Sequence, residues 1–214
     1  MKRQKNFLLF FILLFILVTL FIYYSAKSYS IIMFNNISNS FVRFHVVANS
    51  NSTNDQIIKY KLRDRIMGYL SPLLKNVHTK EEALKIINNN LTELNDISQN
   101  LVTEENINYS VNISIGKSYF PTKDYESFVL PEGIYDALIV ELGEAQGQNW
   151  WCVMFPSVCI PQSDNMNLVN NSMSILEDSL DLEEFSIVSK NSSSADIKIK
   201  FKLIELFENL WIFL

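Results

Sequence analysis

The sequence is poor in cysteine, proline and glycine, which argues against several classes of protein at once. Its 214 residues include 2 Cys, 5 Pro and 5 Gly. Collagens and low-complexity chains contain far more glycine and proline, and a disulfide-stapled mini-protein contains more cysteine. Hydrophobic residues make up 48% of the chain. A packed apolar core must therefore stabilise one globular domain that has an appendage.

Positive charge is also scarce, which argues against nucleic acid as a partner. The chain has 18 Lys and Arg against 23 Asp and Glu, for a formal net charge of −5. A protein that binds a polyphosphate backbone presents a clustered basic surface that releases counterions. Four of the basic residues precede residue 28, where no acidic residue occurs. The remainder of the chain is therefore more acidic than the whole.

The common catalytic motifs are missing. There is no G-x-S-x-G, no H-E-x-x-H, no P-loop and no G-x-G-x-x-G, which are the usual signatures of hydrolases and nucleotide sites. His45 and His78 are the only histidines. We predict no catalytic residue, no metal, no cofactor and no small-molecule substrate. Because a glycosidase needs only two carboxylates, a membrane-anchored cell-wall hydrolase remains the alternative function.

The N-terminus has what the rest of the chain lacks, a long hydrophobic run. Residues 7–24 are apolar except for Thr19, and three basic residues precede them. As a helix the run spans ~27 Å, close to a bilayer core and longer than a usual cleaved signal. A retained signal anchor is favoured over a cleaved signal peptide, because bulky Tyr24 precedes the one candidate cleavage residue, Ala26. The basic residues keep the N-terminus in the cytoplasm.

These features predict three parts. Residues 1–27 are a signal anchor or signal peptide, residues 28–40 a juxtamembrane linker, and residues 41–214 an exported domain. Within that domain, residues 41–48 read as a strand, and Thr53 to Gln56 match a capping box. The helix that follows is limited by Pro72. A second box at Thr79 opens another helix that ends near Asn100.

Strands dominate the later part of the domain. Apolar and polar residues alternate at 107–115, which predicts a strand with one wet face, and residues 134–142 and 150–155 are further strand candidates. A third helix is expected near 168–182 and a final strand at 197–203, while the apolar tail at 206–214 suits core packing. Helices early and strands late indicate an α+β fold, a mostly antiparallel sheet packed with two to three helices.

The sequence around the two cysteines is the most distinctive of the chain. Cys152 and Cys159 could form a disulfide outside the cytoplasm, or remain two buried thiols. Trp150 and Trp151 point to opposite faces of one strand, so one of them is either a core residue or a binding anchor. His45 shares a face with Arg43, where a half-exposed structural role is the simpler interpretation.

Six motifs resemble one family, stage II sporulation protein R of endospore-forming Firmicutes. They are RFHVVANS at 43–50, DQ at 55–56, KLRD at 61–64, FPTK-x-Y at 120–125, P-x-G-x-Y-x-AL at 131–138, and NWWCV-x-FP at 149–156 followed by Cys159. The resemblance implies an exported signalling protein rather than an enzyme. It implies a location between the forespore and mother-cell membranes and a membrane-embedded receptor-protease as partner, the aspartic protease stage II sporulation protein GA, which processes pro-sigma-E.

The chain departs from the family pattern at two turn positions. Ala145 stands where a second glycine is usual, and Glu132 stands where alanine is usual. A glycine-dependent backbone angle is therefore in doubt near Ala145. As contact residues for the partner we predict polar and aromatic groups beside turns. They are Asn149, Trp150, Trp151, His45, Asn49, Lys123 and Tyr125.

Overall fold

The computed structural model describes residues 2–125, 127–158 and 166–190. The chain divides into two compact units, of which the second is residues 37–193. The first unit contains most of helix α1 (Lys2–Ser40). From Gln4 to Ser40 this helix is long and apolar enough to cross a membrane or to act as a signal, and none of its most apolar window is buried. Residues 28–40, which the sequence suggested as a linker, are helical.

The second unit contains a mixed set of helices and strands. In chain order they are β1 (Val42–Val47), α2 (Thr53–Leu74), α3 (Lys80–Asn89), α4 (Leu91–Glu104), β2 (Val111–Phe120), β3 (Lys123–Asp124), β4 (Val129–Leu130), β5 (Gly133–Leu142), β6 (Asn149–Phe155), α5 (Met166–Ser179) and α6 (Leu182–Val188). The predicted α+β fold is confirmed.

The main sheet has four strands in the order β2-β5-β1-β6. β2 pairs antiparallel with β5, and β6 pairs antiparallel with β1. The central pair, β1 with β5, is parallel, and the connection between these two strands contains α2 to α4, β2 and the pair β3 and β4, which is the long crossover that a parallel pair needs. β3 and β4 form a separate two-stranded hairpin.

Helices α2 to α4 cover one face of this sheet. Phe44 and Val46 point towards them from β1, and both are fully buried. Each large apolar side chain buried in this way contributes about 1.5–3 kcal/mol. Their partners come from all three helices and from β5: Ile58, Leu62, Ile66, Leu70, Ala83, Ile87, Leu94, Leu101, Leu138 and Val140.

Helix boundaries differ from the sequence-based expectation in three places. The cap of α2 is Ser52 rather than Thr53, because the Ser52 side chain accepts from the amide of Asp55. Pro72 lies inside the last turn of α2 and does not end it. Thr79 does cap α3, but the single helix expected up to residue 100 is divided at Asn90, whose side chain donates to the carbonyl of Ile86 at 2.8 Å.

The first alternating stretch is also shifted. Strand β2 begins at Val111 rather than at 107. Asn106 has a positive φ of 52°, and Ile107 and Tyr109 pack against the core before the strand begins. The expected face is retained, since Val111 and Ile113 are buried on the helical side. The final strand and the apolar tail expected at 197–214 lie outside the described residues.

Candidate functional site

The face of the sheet opposite the helices presents basic and aromatic side chains. Successive residues of a strand alternate between faces, so residues that are paired in register share one. Arg43 lies opposite Val153, and His45 lies opposite Trp151. Six side chains meet on this face and form what we call the Arg43 cluster. They are Arg43, His45, Phe120, Tyr125, Tyr135 and Trp151.

Arg43 is a fully buried cation, with a relative exposure of 0%. Its guanidinium carbon lies 4.3 Å from the ring centroid of Phe120, 5.0 Å from that of Tyr135 and 5.7 Å from that of Tyr125. Aromatic rings at this distance attract a cation through their negative faces. Nε donates to the carbonyl oxygen of Cys152 at 3.0 Å, and Nη2 donates to the hydroxyl of Tyr125 at 2.6 Å.

One terminal nitrogen of Arg43 has no such contact. Nη1 is buried and has no hydrogen-bond partner, and no ion pair joins Arg43 to a carboxylate of the described chain. Burial lowers the pKa of Arg43, and the hydroxyl groups of Tyr125 and Tyr135 act in the opposite direction. An arginine nevertheless stays protonated at physiological pH. The site therefore contains a permanent positive charge that neutral groups compensate only in part.

His45 is the second polar member of the cluster, and it is buried rather than half-exposed. Its relative exposure is 8%. Its ring stacks on Trp151 with the centroids 3.8 Å apart and the planes at 16°. Nδ1 lies 3.4 Å from Oγ of Ser118, and Nε2 is buried with no hydrogen-bond partner. Burial lowers the pKa of His45 and outweighs the opposite influence of Asn149, so the ring is neutral at pH 7.

The β3–β4 hairpin closes the cluster over Arg43. Tyr125 at its tip bonds to Arg43 and stacks on Phe128 with the ring centroids 4.9 Å apart. Outside the cluster the hairpin is attached near the end of α6, where Lys190 pairs with Asp124 and its amide donates to the carbonyl of Ser127 at 3.1 Å. The bridge between Phe128 and Ser189 and the burial of Phe128 and Leu130 also hold this cover in place.

The cluster brings together four of the residues predicted to contact a partner. His45, Trp151 and Tyr125 are members, and the ammonium group of Lys123 lies 5.9 Å from the ring centroid of Trp151. Trp151 is half-buried, so the cluster reaches the surface at this residue. Asn149 is exposed on the same face, one paired position further along β6.

Two of the predicted contact residues lie elsewhere. Trp150 is on the helical face, edge-on to Phe44 at 5.6 Å, with Arg63 at 5.0 Å from its ring. This is a core position at the margin of the helical layer. Asn49 lies in the loop after β1 and connects it to the β5–β6 turn, because its Oδ1 accepts from the amide of Glu144 at 3.0 Å.

Asp55 organises the same loop. It accepts hydrogen bonds from Ser50 at 2.6 Å, from Tyr109 at 2.8 Å and from the side chain of Asn49 at 2.9 Å. Burial raises the pKa of Asp55, but these hydrogen bonds outweigh burial and hold it below the usual value for aspartate. The loop is therefore fixed by a satisfied polar network, in contrast to the Arg43 cluster.

Cys152 is buried on the helical face, with a relative exposure of 4%. It is disulfide-bonded. The other cysteine of the chain, Cys159, lies outside the described residues. Among the residues that the structure describes, no group of His, Cys, Asp and Glu could hold a metal ion.

Sequence reasoning missed three members of the cluster: Arg43, Phe120 and Tyr135. One signal was available for Arg43, since a charged residue inside the apolar strand FVRFHVV is unusual unless it is exposed or paired. The other two residues lie on β2 and β5, and their approach to Arg43 depends on a strand order that local patterns do not give.

Comparisons with known proteins agree with the motifs. The model of the family "Stage II sporulation protein R" matches residues 38–165. Stage II sporulation protein R of Bacillus subtilis (strain 168) is 31% identical over 181 residues, which cover 79% of this chain and 81% of that protein. No solved structure matches. The matched region contains the whole Arg43 cluster, and the chain belongs to the stage II sporulation protein R family.

Proposed function

We propose that this chain is an exported signal that activates a membrane-embedded aspartic protease, stage II sporulation protein GA, which then processes pro-sigma-E during endospore formation. The signal acts in the space between the forespore and mother-cell membranes and is retained there by helix α1 or released from it. The family assignment is the observation that supports this proposal most directly. An N-terminal helix apolar enough to enter a membrane supports the export step.

The proposed mechanism is binding rather than bond chemistry. A ligand activates a receptor only if it binds the active state more tightly than the inactive one. The required property of this domain is therefore a surface that discriminates between two states of the protease. The half-buried Trp151 and the exposed Asn149, on the open side of the Arg43 cluster, are our proposed contacts for that surface.

Deletion of the gene in its host tests the proposal, with pro-sigma-E followed by immunoblot. We expect the precursor to accumulate uncleaved and expect the full-length gene, supplied in trans, to restore cleavage. A version that lacks residues 1–27 should remain inside the forespore and fail to restore it. Normal cleavage in the deletion strain would contradict the proposed function, and restoration by the truncated version would contradict the export step.

A pair of tryptophan variants tests the proposed surface. Trp151→Ala should abolish pro-sigma-E cleavage while the protein still accumulates, because Trp151 is half-buried on the Arg43 cluster. Trp150→Ala is the matched control on the helical face, and it should act through reduced stability and reduced protein level. Full signalling by Trp151→Ala at normal protein level would remove this residue from the surface.

A further inference from the structure

Arg43 is an unusual buried charge because no carboxylate of the described residues pairs with it. Charged side chains are almost never fully buried unless an opposite charge accompanies them. Arg43 has a relative exposure of 0%, yet its hydrogen-bond acceptors are a peptide carbonyl and a phenol. Phe120 and the two tyrosines contribute cation–π attraction. That attraction does not satisfy the donor groups of Nη1.

Lys59 is a second buried cation of the same domain, and its ammonium nitrogen does have hydrogen-bond partners. Lys59 has a relative exposure of 1%, and it too lacks a carboxylate in the described part of the chain. Its ammonium group donates to Oε1 of Gln56 at 2.6 Å and to the carbonyl of Gln148 at 3.1 Å. Lys59 therefore connects α2 to the β5–β6 turn as a structural link. Arg43, with Nη1 unbonded, retains an unused donor.

The unused donor fits a carboxylate. Guanidinium presents its N–H groups as a planar fork that matches the two oxygens of a carboxylate. Nη1 of Arg43 is unbonded, and Nη2 is bonded to the neutral Tyr125 hydroxyl. An incoming carboxylate would bond to both nitrogens and displace that phenol. The exchange replaces a neutral acceptor with a charged one, and hydrogen bonds between charged groups are about twice as strong.

The β3–β4 hairpin gives a route to this position. It is a separate sheet of two-residue strands. Its attachments include the Tyr125 bond to Arg43, the contacts of Lys190, and the bond from the Tyr135 hydroxyl to the carbonyl of Pro131 at 2.7 Å. Opening the hairpin also exposes Phe128 and Leu130, which are 2% and 0% exposed, and a second polypeptide offsets that cost when it covers these side chains. An opened hairpin exposes Arg43 between Phe120 and Trp151.

We infer that Arg43 is the binding site for a carboxylate group that a second polypeptide inserts beneath the β3–β4 hairpin, in place of the Tyr125 hydroxyl. The identification of that polypeptide as the receptor-protease rests on the proposed function. The anion site itself does not.

The first test uses acetate as the probe on the full-length chain in a nonionic detergent. Melting is followed by circular dichroism as sodium acetate replaces sodium chloride at constant ionic strength. Wild type should melt about 3–6 °C higher at roughly tenfold excess over Kd. Tyr125→Phe, which removes the competing phenol, should respond at lower acetate concentration, and Arg43→Met should not respond.

Arg63→Met is the matched control in this experiment. Arg63 also lies near aromatic rings, 4.8 Å from Tyr60 and 5.0 Å from Trp150, but it is paired with Asp64. Its variant should retain the full acetate response. No response in either wild type or Tyr125→Phe would overturn the inference, and so would an equal response in Arg43→Met.

Arg43→Met must also be shown to fold. Because no described residue forms an ion pair with Arg43, we expect the variant, which has a hydrophobic side chain of similar length, to melt within a few degrees of wild type. If Arg43→Met does not fold, Arg43→Lys takes its place, since it retains the charge and loses the fork. An acetate response in Arg43→Lys as large as in wild type would then overturn the inference.

The second test is made in sporulating cells. Arg43→Met should accumulate normally and fail to support pro-sigma-E cleavage, and Arg63→Met should support it. Normal cleavage with Arg43→Met would overturn the inference while leaving the proposed function intact. Normal cleavage in the deletion strain would remove the proposed function, and the acetate result would still decide whether Arg43 is an anion site.

Discussion

The two faces of strand β1 differ in the polarity of their side chains. Phe44 and Val46 face helices α2 to α4 in a layer of buried hydrophobic side chains. Arg43 and His45 alternate with them and face the other way, and each has a buried nitrogen with no partner. The helical face has the composition expected of a layer selected for stability. The Arg43 face retains groups that a purely structural layer would replace.

The difference also concerns how each face is closed. The helical face is closed by three helices of 10 to 22 residues, which are cooperative units with long apolar stripes. The Arg43 face is closed by a hairpin whose strands have two residues each. This smaller closure buries two large apolar side chains, Phe128 and Leu130.

The largest effect is expected on the helical face, for Phe44→Ala. Phe44 is fully buried and contacts Trp150 edge-on at 5.6 Å. Removal of a buried phenyl group leaves a cavity that costs about 3–5 kcal/mol of unfolding free energy. Urea titration of the full-length protein in detergent measures it. Phe44→Leu, the control, should cost far less, and a loss under about 1 kcal/mol for Phe44→Ala would mean that this layer is not the main source of stability.

On the Arg43 face we expect a pH effect. Because the pKa of His45 is lowered by burial, the unfolded chain binds a proton that the folded chain does not. The stability is complete above the unfolded pKa of about 6.5 and falls as the pH drops towards the folded pKa, by at most about 1.4 kcal/mol per pH unit. Urea titrations between pH 7.5 and 5.5 measure this slope.

Two histidine variants show whether the slope belongs to His45. His45→Phe, which preserves the stack on Trp151, should remove the slope between pH 7.5 and 5.5. His78→Gln should leave it unchanged, because His78 is exposed in the loop before α3. A slope that survives in His45→Phe would assign the proton to another group and weaken the contrast between the faces.

The β5–β6 turn offers a change that should affect both faces equally. Ala145 has a φ of 52°, in the left-handed region where a side chain is strained. The departure from the family pattern at this position therefore does carry a backbone cost. Ala145→Gly should raise the unfolding free energy by about 0.5–1 kcal/mol without altering the pH slope or the acetate response.

Gly143 is the matched opposite of Ala145. It has a φ of +55°, and a Cβ there would lie 2.2 Å from Oδ1 of Asn49. Gly143→Ala should therefore lower stability by at least as much as Ala145→Gly raises it. Equal signs for the two variants in urea titration would contradict the assignment of strain to the backbone angle.

The smallest effect is expected at the outer surface of the helical layer. Lys61 of α2 and Glu105 after α4 form an ion pair of 2.6 Å with side-chain exposures of 46% and 27%. Exposed pairs of this kind contribute about 0.5 kcal/mol or less and weaken with salt. Lys61→Met should therefore change the urea midpoint only slightly, and a large change would mean that ion pairs, not apolar contacts, hold the helices together.

Local sequence patterns were enough to predict much of the fold. The strands at β1, β5 and β6 are short runs rich in β-branched and aromatic residues, and the cap at Thr79 is a local hydrogen bond. The division of the second predicted helix could not be predicted from local patterns. It depends on Asn90, which accepts a hydrogen bond from the Tyr69 hydroxyl of another helix at 2.6 Å. Contacts between helices are set by tertiary packing, which local propensity does not encode.

Only half of the candidate site could be predicted from the sequence, for the same reason. Alternation along β1 was enough to place His45 and Arg43 on one face. It could not show that β5 inserts beside β1 in parallel, which is what brings Tyr135 and, through β2, Phe120 over the guanidinium. The separation of Trp150 from Trp151 did follow from alternation, and the structure shows which of the two lies against the helices.

The stack of His45 on Trp151 gives this domain an optical reporter of its own. A protonated imidazole in contact with an indole quenches its emission more strongly than a neutral one does. With the ring centroids 3.8 Å apart and the ring planes nearly parallel, the emission of Trp151 should follow the charge of His45 and the entry of any group between them. Engagement of a partner could then be timed in intact protein without an attached dye.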